Sequence, residues 1–197
     1  MRHSAVSRYH RFPGRMSAEF NVSLQMKASV RFKCKNCDEW HVGVPGWGYP
    51  FPMPYWDVPE LERSERCFLT SDLCVVDDQR FFVRGCLDLP IAGYADVLVI
   101  GAWVEIGDES FFEYQDLIDL PTRSKYGPYE GTLSAALPTY DGTEGLRVAV
   151  VVNDSGTRPS IVIEDSEHQL GADQKNGLSI ERIQSIYSYF ERRRAEG

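Results

Sequence analysis

Long apolar runs are missing from this chain. The longest, VLVIGAWV from Val97 to Val104, is closed by Asp96 and Glu105 and falls far short of the ~20 residues that a membrane-spanning helix needs. A helical span is therefore excluded. The basic N-terminus, MRHSAVSRYHRFPGRM, lacks the apolar core of a secretory signal and the small-residue cleavage site that follows one. Cysteine is scarce and odd in number, with five residues, so a complete disulfide framework is excluded. At 197 residues and 43% hydrophobic content, a single domain buries enough core to stand without such staples. These absences together point to a cytoplasmic protein. Also lacking are a glycine-rich phosphate loop, a Gly-x-Ser-x-Gly elbow, internal repeats and low-complexity linkers.

Charge is present but unevenly spread. The first 33 residues hold seven Lys or Arg and one acid, Glu19, which leaves 14 basic and 28 acidic residues for the remainder. Residues 1–29 read as a basic, disordered leader, and Met16 and Met26 are alternative starts to Met1. Residues 30–193 read as one globular domain. Its acidic field repels nucleic-acid phosphate and suits a basic protein partner, although surplus carboxylates also serve solubility alone.

The apolar pattern predicts an α+β fold: an antiparallel sheet of two hairpins and a further strand, with a mid-chain and a C-terminal helix packed on it. The first hairpin, DLCVVDDQRFFVRGCLDLPI, turns at Asp77-Asp78-Gln79. Along its second strand Phe81, Val83, Leu87 and Leu89 share a core face, opposite Phe82, Arg84, Cys86 and Asp88. VLVIGAWVEIG supplies the further strand, so Arg84, Asp88, Trp103 and Glu105 form a semi-polar wall, a candidate binding surface. The second hairpin turns at Asn153–Gly156. Asp108 or Ser110 is the expected N-cap of the mid-chain helix. Ser179 caps the last helix, whose stripe is Ile180, Ile183, Ile186, Tyr187 and Phe190. Between Val42 and Pro59 lie five prolines and five aromatics, which predicts an extended arm. Its aromatics pack back on the fold or, through residues such as Trp47 and Trp56, form a recognition strip.

The chemistry-bearing motif is CKNC, Cys34 and Cys37, with His41 following. One tight turn delivers two thiolates to a tetrahedral zinc, but that is half a site. His41 is one completion; Cys74 and Cys86, on the two strands of the first hairpin, are the other. Register separates them: a two-residue turn sets Cys74 opposite Val83 and points the thiols apart, whereas a three-residue turn or one bulge is expected to set Cys74 opposite Arg84 with Cys86 on the same face. A redox couple is disfavoured because the pair does not open a helix, and buried structural cysteine is the plain alternative. An enzyme reading needs an open metal position with Glu105 or His168 as base, although a lone His just before QLGADQ suits a helix-start hydrogen bonder better.

FKCKNCDEWH, the long block VPELERSERCFLTSDLCVVDDQRFFVRGCLDLPI, LPTYDGTEGLR and HQLGADQKNGLSIERI resemble a bacterial family known only as domain of unknown function 2199, from about Phe32 to Tyr189. The resemblance implies the cysteine pattern Cys34, Cys37, Cys74 and Cys86 as zinc ligands, and it implies a fold more than an activity. The chain departs from the family's usual WGVWVSL by reading IGAWVEI, with Ile100 for an aromatic and Glu105 for Ser. On this basis we expect a zinc-stabilised, partner-binding or regulatory, immunity-like module, with a metal-dependent hydrolase-like enzyme as the alternative.

Overall fold

A computed structural model of the chain describes residues 28–196. The expected basic leader, residues 1–29, lies outside the described residues but for its last two. In chain order the elements are β1 (Arg31–Lys33), β2 (Trp40–Val42), β3 (Trp47–Gly48), α1 (Met53–Asp57), α2 (Arg63–Arg66), β4 (Cys67–Leu69), β5 (Leu73–Val76), β6 (Arg80–Pro90), β7 (Val97–Ile106), α3 (Asp108–Leu117), β8 (Tyr129–Leu133), β9 (Arg147–Val151), β10 (Ser160–Ile163), α4 (Gln169–Asn176) and α5 (Ile180–Glu196). None of the described helices is long and apolar enough to cross a membrane.

Both expected hairpins form, β5–β6 and β9–β10. The sheet is mixed, however, not antiparallel throughout. Strands β6, β7, β8, β9 and β10 close into a five-strand barrel, because β10 pairs in parallel with β6 through Ser160 and Cys86. The closure comes from the length of β6, which spans 11 residues. One edge of β6 pairs with β7 throughout. Its other edge serves two partners in turn: Arg80 to Val83 pair with β5, the Arg84 amide donates to the Asp72 carbonyl, and the Cys86 amide donates to the Pro159 carbonyl at the entry to β10. Gly85 sits at this handover. A Cβ there would meet Ile161 Cγ1 at 2.7 Å and the Pro159 oxygen at 2.9 Å, so only glycine lets β10 approach. The ion pair Arg158–Asp72, at 2.6 Å, straddles the same junction.

The alternation along β6 places its side chains as the pattern predicts. Val83, Leu87 and Leu89 are fully buried in the main core, with Phe81 packed against it. Phe82, on the opposite face, is equally buried, because a second core forms there with Val58, Cys74, Val76 and Trp103. The proline-rich arm builds that core's lid. It is not simply extended: β3 pairs in parallel with β7, and α1 forms with Pro54 in its first turn, where the missing N–H costs nothing. Trp103 Nε1 donates to the Tyr49 carbonyl at 3.0 Å, and the Tyr49 hydroxyl donates to the Ala136 carbonyl. Trp47 stacks on Phe190 at 4.1 Å. Trp56 alone among the arm's aromatics stays largely outside, half exposed beneath Arg63.

The helices begin near where the sequence signals them, except that Gly107, not Asp108 or Ser110, occupies the N-cap of α3, without a side-chain cap. The Ser179 hydroxyl accepts from the Arg182 amide, and His168 caps α4 by accepting from the Leu170 amide at Nδ1 while Nε2 donates to the Asp141 carbonyl. The long β9–β10 connection is held by buried Arg123, which donates to the carbonyls of Ile118, Asn153 and Thr157.

Two measurements test this architecture. Gly85→Ala is expected to cost about 1–3 kcal/mol in urea unfolding, as overpacking does, because β10 must withdraw. The second concerns acid. Burial pushes the Asp72 carboxyl up, but the Ser71 hydroxyl and the Arg158 guanidinium outweigh it and hold it below the usual carboxylate range. The pair therefore stabilises the fold above about pH 4 and loses that contribution as pH falls through the lower folded-state value. Asp72→Asn is expected to flatten the acid limb of the stability curve, read by chemical denaturation at stepped pH.

Candidate metal centre

Period-two alternation along β1 buries Phe32 and Cys34 and leaves Arg31 and Lys33 outside. The β1–β2 ladder pairs Phe32 with His41, so the imidazole shares the face of Phe32 and Cys34. Between the strands the chain turns through Lys35–Cys37, with Asp38 at φ 58° and the Cys34 amide donating to the Glu39 carbonyl at 2.8 Å. This turn swings Cys37 back over the ribbon. The two thiols and His41 thus bring three donor atoms within 4.8 Å of one another, and Cys37 Sγ lies 3.3 Å from His41 Nε2. Donors on a tetrahedral zinc, with bonds of about 2.0–2.3 Å, sit roughly 3.5–3.8 Å apart. The Cys37–His41 pair is close to that spacing, and the donor set suits a borderline-soft ion.

The second layer fits as well. Tyr187, on α5, hydrogen-bonds His41 Nδ1 at 3.0 Å. A metal-binding histidine commonly has its second nitrogen held in this way, which fixes tautomer and ring orientation. Phe32 and Tyr187 meet edge to face at 5.2 Å, and the His41 and Tyr187 rings lie 4.6 Å apart. Asn36 donates to the Ser188 carbonyl and Gln184 to the Lys33 carbonyl, so α5 clasps both sides of the turn. Burial pushes the Cys34 thiol up, but the amides of Cys37 and Asn36, the Cys37 thiol and the buried Ser188 hydroxyl outweigh it and hold it below the ordinary thiol value.

The expected completion by Cys74 and Cys86 is corrected. The turn is three residues long and pairs Val76 with Arg80, which sets Cys74 opposite Phe82, not Arg84. Cys74 and Cys86 do share a face, but four residues of β6 separate them, about 13 Å of strand. Cys74 is fully buried in the second core beside Cys67, where burial pushes its thiol up to about 12. Cys86 faces a cleft. The site residues brought together are Cys34, Cys37 and His41. The CxxC turn joins two strands and opens no helix, which removes the context that a thioredoxin-like couple needs.

The predicted wall also divides. Trp103 is completely buried and presents no surface. Glu105 is held by a bidentate pair with Arg80 at 2.6–2.8 Å. Arg84 and Asp88 make no ion pair with each other, and Arg84 has Asp72 and Arg158 as its charged neighbours. Sequence reasoning missed Tyr187 and Ser188 as partners of the cluster, having placed Tyr187 in the apolar stripe of α5. Their contacts span 146 and 152 residues, which no local pattern registers.

Over residues 33–178 the chain matches the family described as an uncharacterized protein conserved in bacteria (DUF2199), and it belongs to that family. No curated protein and no solved structure matches it.

The ribbon's seating on α5 is testable without metal. Phe32→Ala is expected to cost about 3–5 kcal/mol, as buried aromatic truncations do, read by thermal or chemical unfolding.

Proposed function

We propose that the chain is a partner-binding or regulatory module whose N-terminal knuckle is clipped by structural zinc. The observation that carries the reading is the convergence of Cys34, Cys37 and His41, with Tyr187 orienting the imidazole. Those three side chains would hold the ion, which would contribute folding free energy directly, as structural zinc does. The partner surface is supported by side chains next to the knuckle. Trp40 and Val42 are 59% and 70% exposed on the outer face of β2, and large apolar groups left outside at an ordered ribbon suit a docking face. An immunity-like role with a basic partner in the cytoplasm agrees with the acidic body of the chain.

One observation favours the second reading, a metal-dependent hydrolase-like enzyme: the cluster has three donors among the described residues, the number that catalytic zinc sites take from protein. Against it, both nitrogens of His168 are committed to the helix cap and the Asp141 carbonyl, and Glu105 is committed to Arg80. Neither group considered as base is free.

Metal analysis of the purified full chain tests the reading. One zinc per chain is expected, lost in Cys34→Ser and Cys37→Ser with a lowered melting temperature, and retained in Cys86→Ser. Tyr187→Phe is expected to weaken metal affinity about 10–100-fold, as loss of an outer partner does. Wild-type protein without bound zinc, and with a melt indifferent to chelator, would remove the clip. A cobalt-substituted sample whose spectrum responds to added small anions would favour the open-site enzyme.

A further inference from the structure

The handover on β6 carries a second site, remote in sequence from the knuckle. A cleft of about 1030 Å³ opens beside it, with Asp72, Cys86, Asp88, Arg158 and Ser160 among its walls. Arg84 lies at this junction. Its guanidinium is seated over the backbones of Gly48 and Gly101: a Cβ at residue 48 would meet Nη2 at 2.8 Å, and one at residue 101 would meet Nη2 at 3.5 Å and Nε at 3.6 Å. The Trp103 ring lies beneath, 5.9 Å from the guanidinium carbon. Two glycines on neighbouring strands and an indole therefore fix the group by stacking. No protein acceptor does so: Nε is buried without a hydrogen-bond partner, and among the described residues no ion pair reaches Arg84.

The groups that Arg84 senses electrostatically are Arg158, Asp72 and Cys86, and all three line the cleft. Burial and the Arg158 charge both lower the Arg84 pKa, against the pull of Asp72. Asp72 is already committed to Arg158 at 2.6 Å. Two guanidiniums thus share the Asp72 carboxylate, and the buried Arg84 Nε keeps a preorganised donor with no protein acceptor. Cys86 adds no competing charge, since burial and then the Asp88 carboxylate push its thiol up. We propose that Arg84 and Arg158 form an oxyanion-binding site at the cleft, taking the phosphate or carboxylate end of a small molecule. Planar guanidiniums suit both oxyanions. Asp88, which lines the same cleft next to Cys86, disfavours a second anionic group, so the rest of the ligand is neutral or cationic.

The test is calorimetric titration of the full chain with inorganic phosphate and, separately, with acetate, in chloride buffers of matched ionic strength. Saturable binding of at least one is expected, with a dissociation constant in about the millimolar range. The anion that binds distinguishes a phosphoryl from a carboxylate ligand. Arg84→Lys and Arg158→Gln are each expected to weaken binding at least tenfold, while Arg80→Gln, whose guanidinium serves Glu105, leaves it unchanged. If Arg84→Lys fails to fold, Arg158→Gln decides, because that side chain is 39% exposed. Absence of saturable binding by both anions, or wild-type affinity in Arg158→Gln, overturns the proposal.

Discussion

One edge of one strand organises this molecule. The first four residues of β6 pair with β5 and the edge then passes to β10, so a sheet that would otherwise have stayed open is drawn into a ring. Everything outside the ring is placed by this division. Strand β5, left projecting beyond the barrel, carries Cys74 and Val76 into the second core. The arm then covers that core through Tyr49 and α1. The junction itself cannot be fully paired by backbone, and charged side chains occupy it: Asp72 from the start of β5, Arg158 from the approach to β10 and Arg84 from between them. The proposed oxyanion site is a product of the same geometry that closes the barrel.

Much of the fold was legible in the sequence because it is local. Period two along β6 sorted Val83, Leu87 and Leu89 from Arg84 and Cys86. Turn residues marked both hairpins, and Ser179 and His168 marked the starts of two helices. Barrel closure was not legible, since it rests on a single parallel pair, Ser160 with Cys86, and a glycine in a strand signals close approach without naming what approaches. The arm was half legible. Its proline density argued against regular structure, yet Pro54 sits in the first turn of a short helix, where its missing N–H is harmless.

The metal centre divides along similar lines. CKNC announced itself, and His41 was within view as a ligand. Choosing His41 over Cys74 and Cys86 required two registers. In the β1–β2 ribbon the imidazole comes round to the face of Cys34. In the first hairpin a three-residue turn moves the pairing the opposite way from the one a four-thiolate site would need. Tyr187 occupies a stripe position on α5 that reads as core, and its ring does pack as core; its hydroxyl is aimed by the helix's seating on a ribbon far away in sequence.

The pairing of knuckle and last helix has a consequence during synthesis. Strand β1 and its thiols leave the ribosome early, whereas Tyr187 and Ser188 follow some 150 residues later, at ordinary translation rates several seconds or more behind. Throughout that interval Cys34 and His41 lack the surface that orders them, and the ribbon, a two-stranded hairpin, is marginal alone. Its final geometry is therefore among the last features of the nascent chain to be set, although its residues are among the first made.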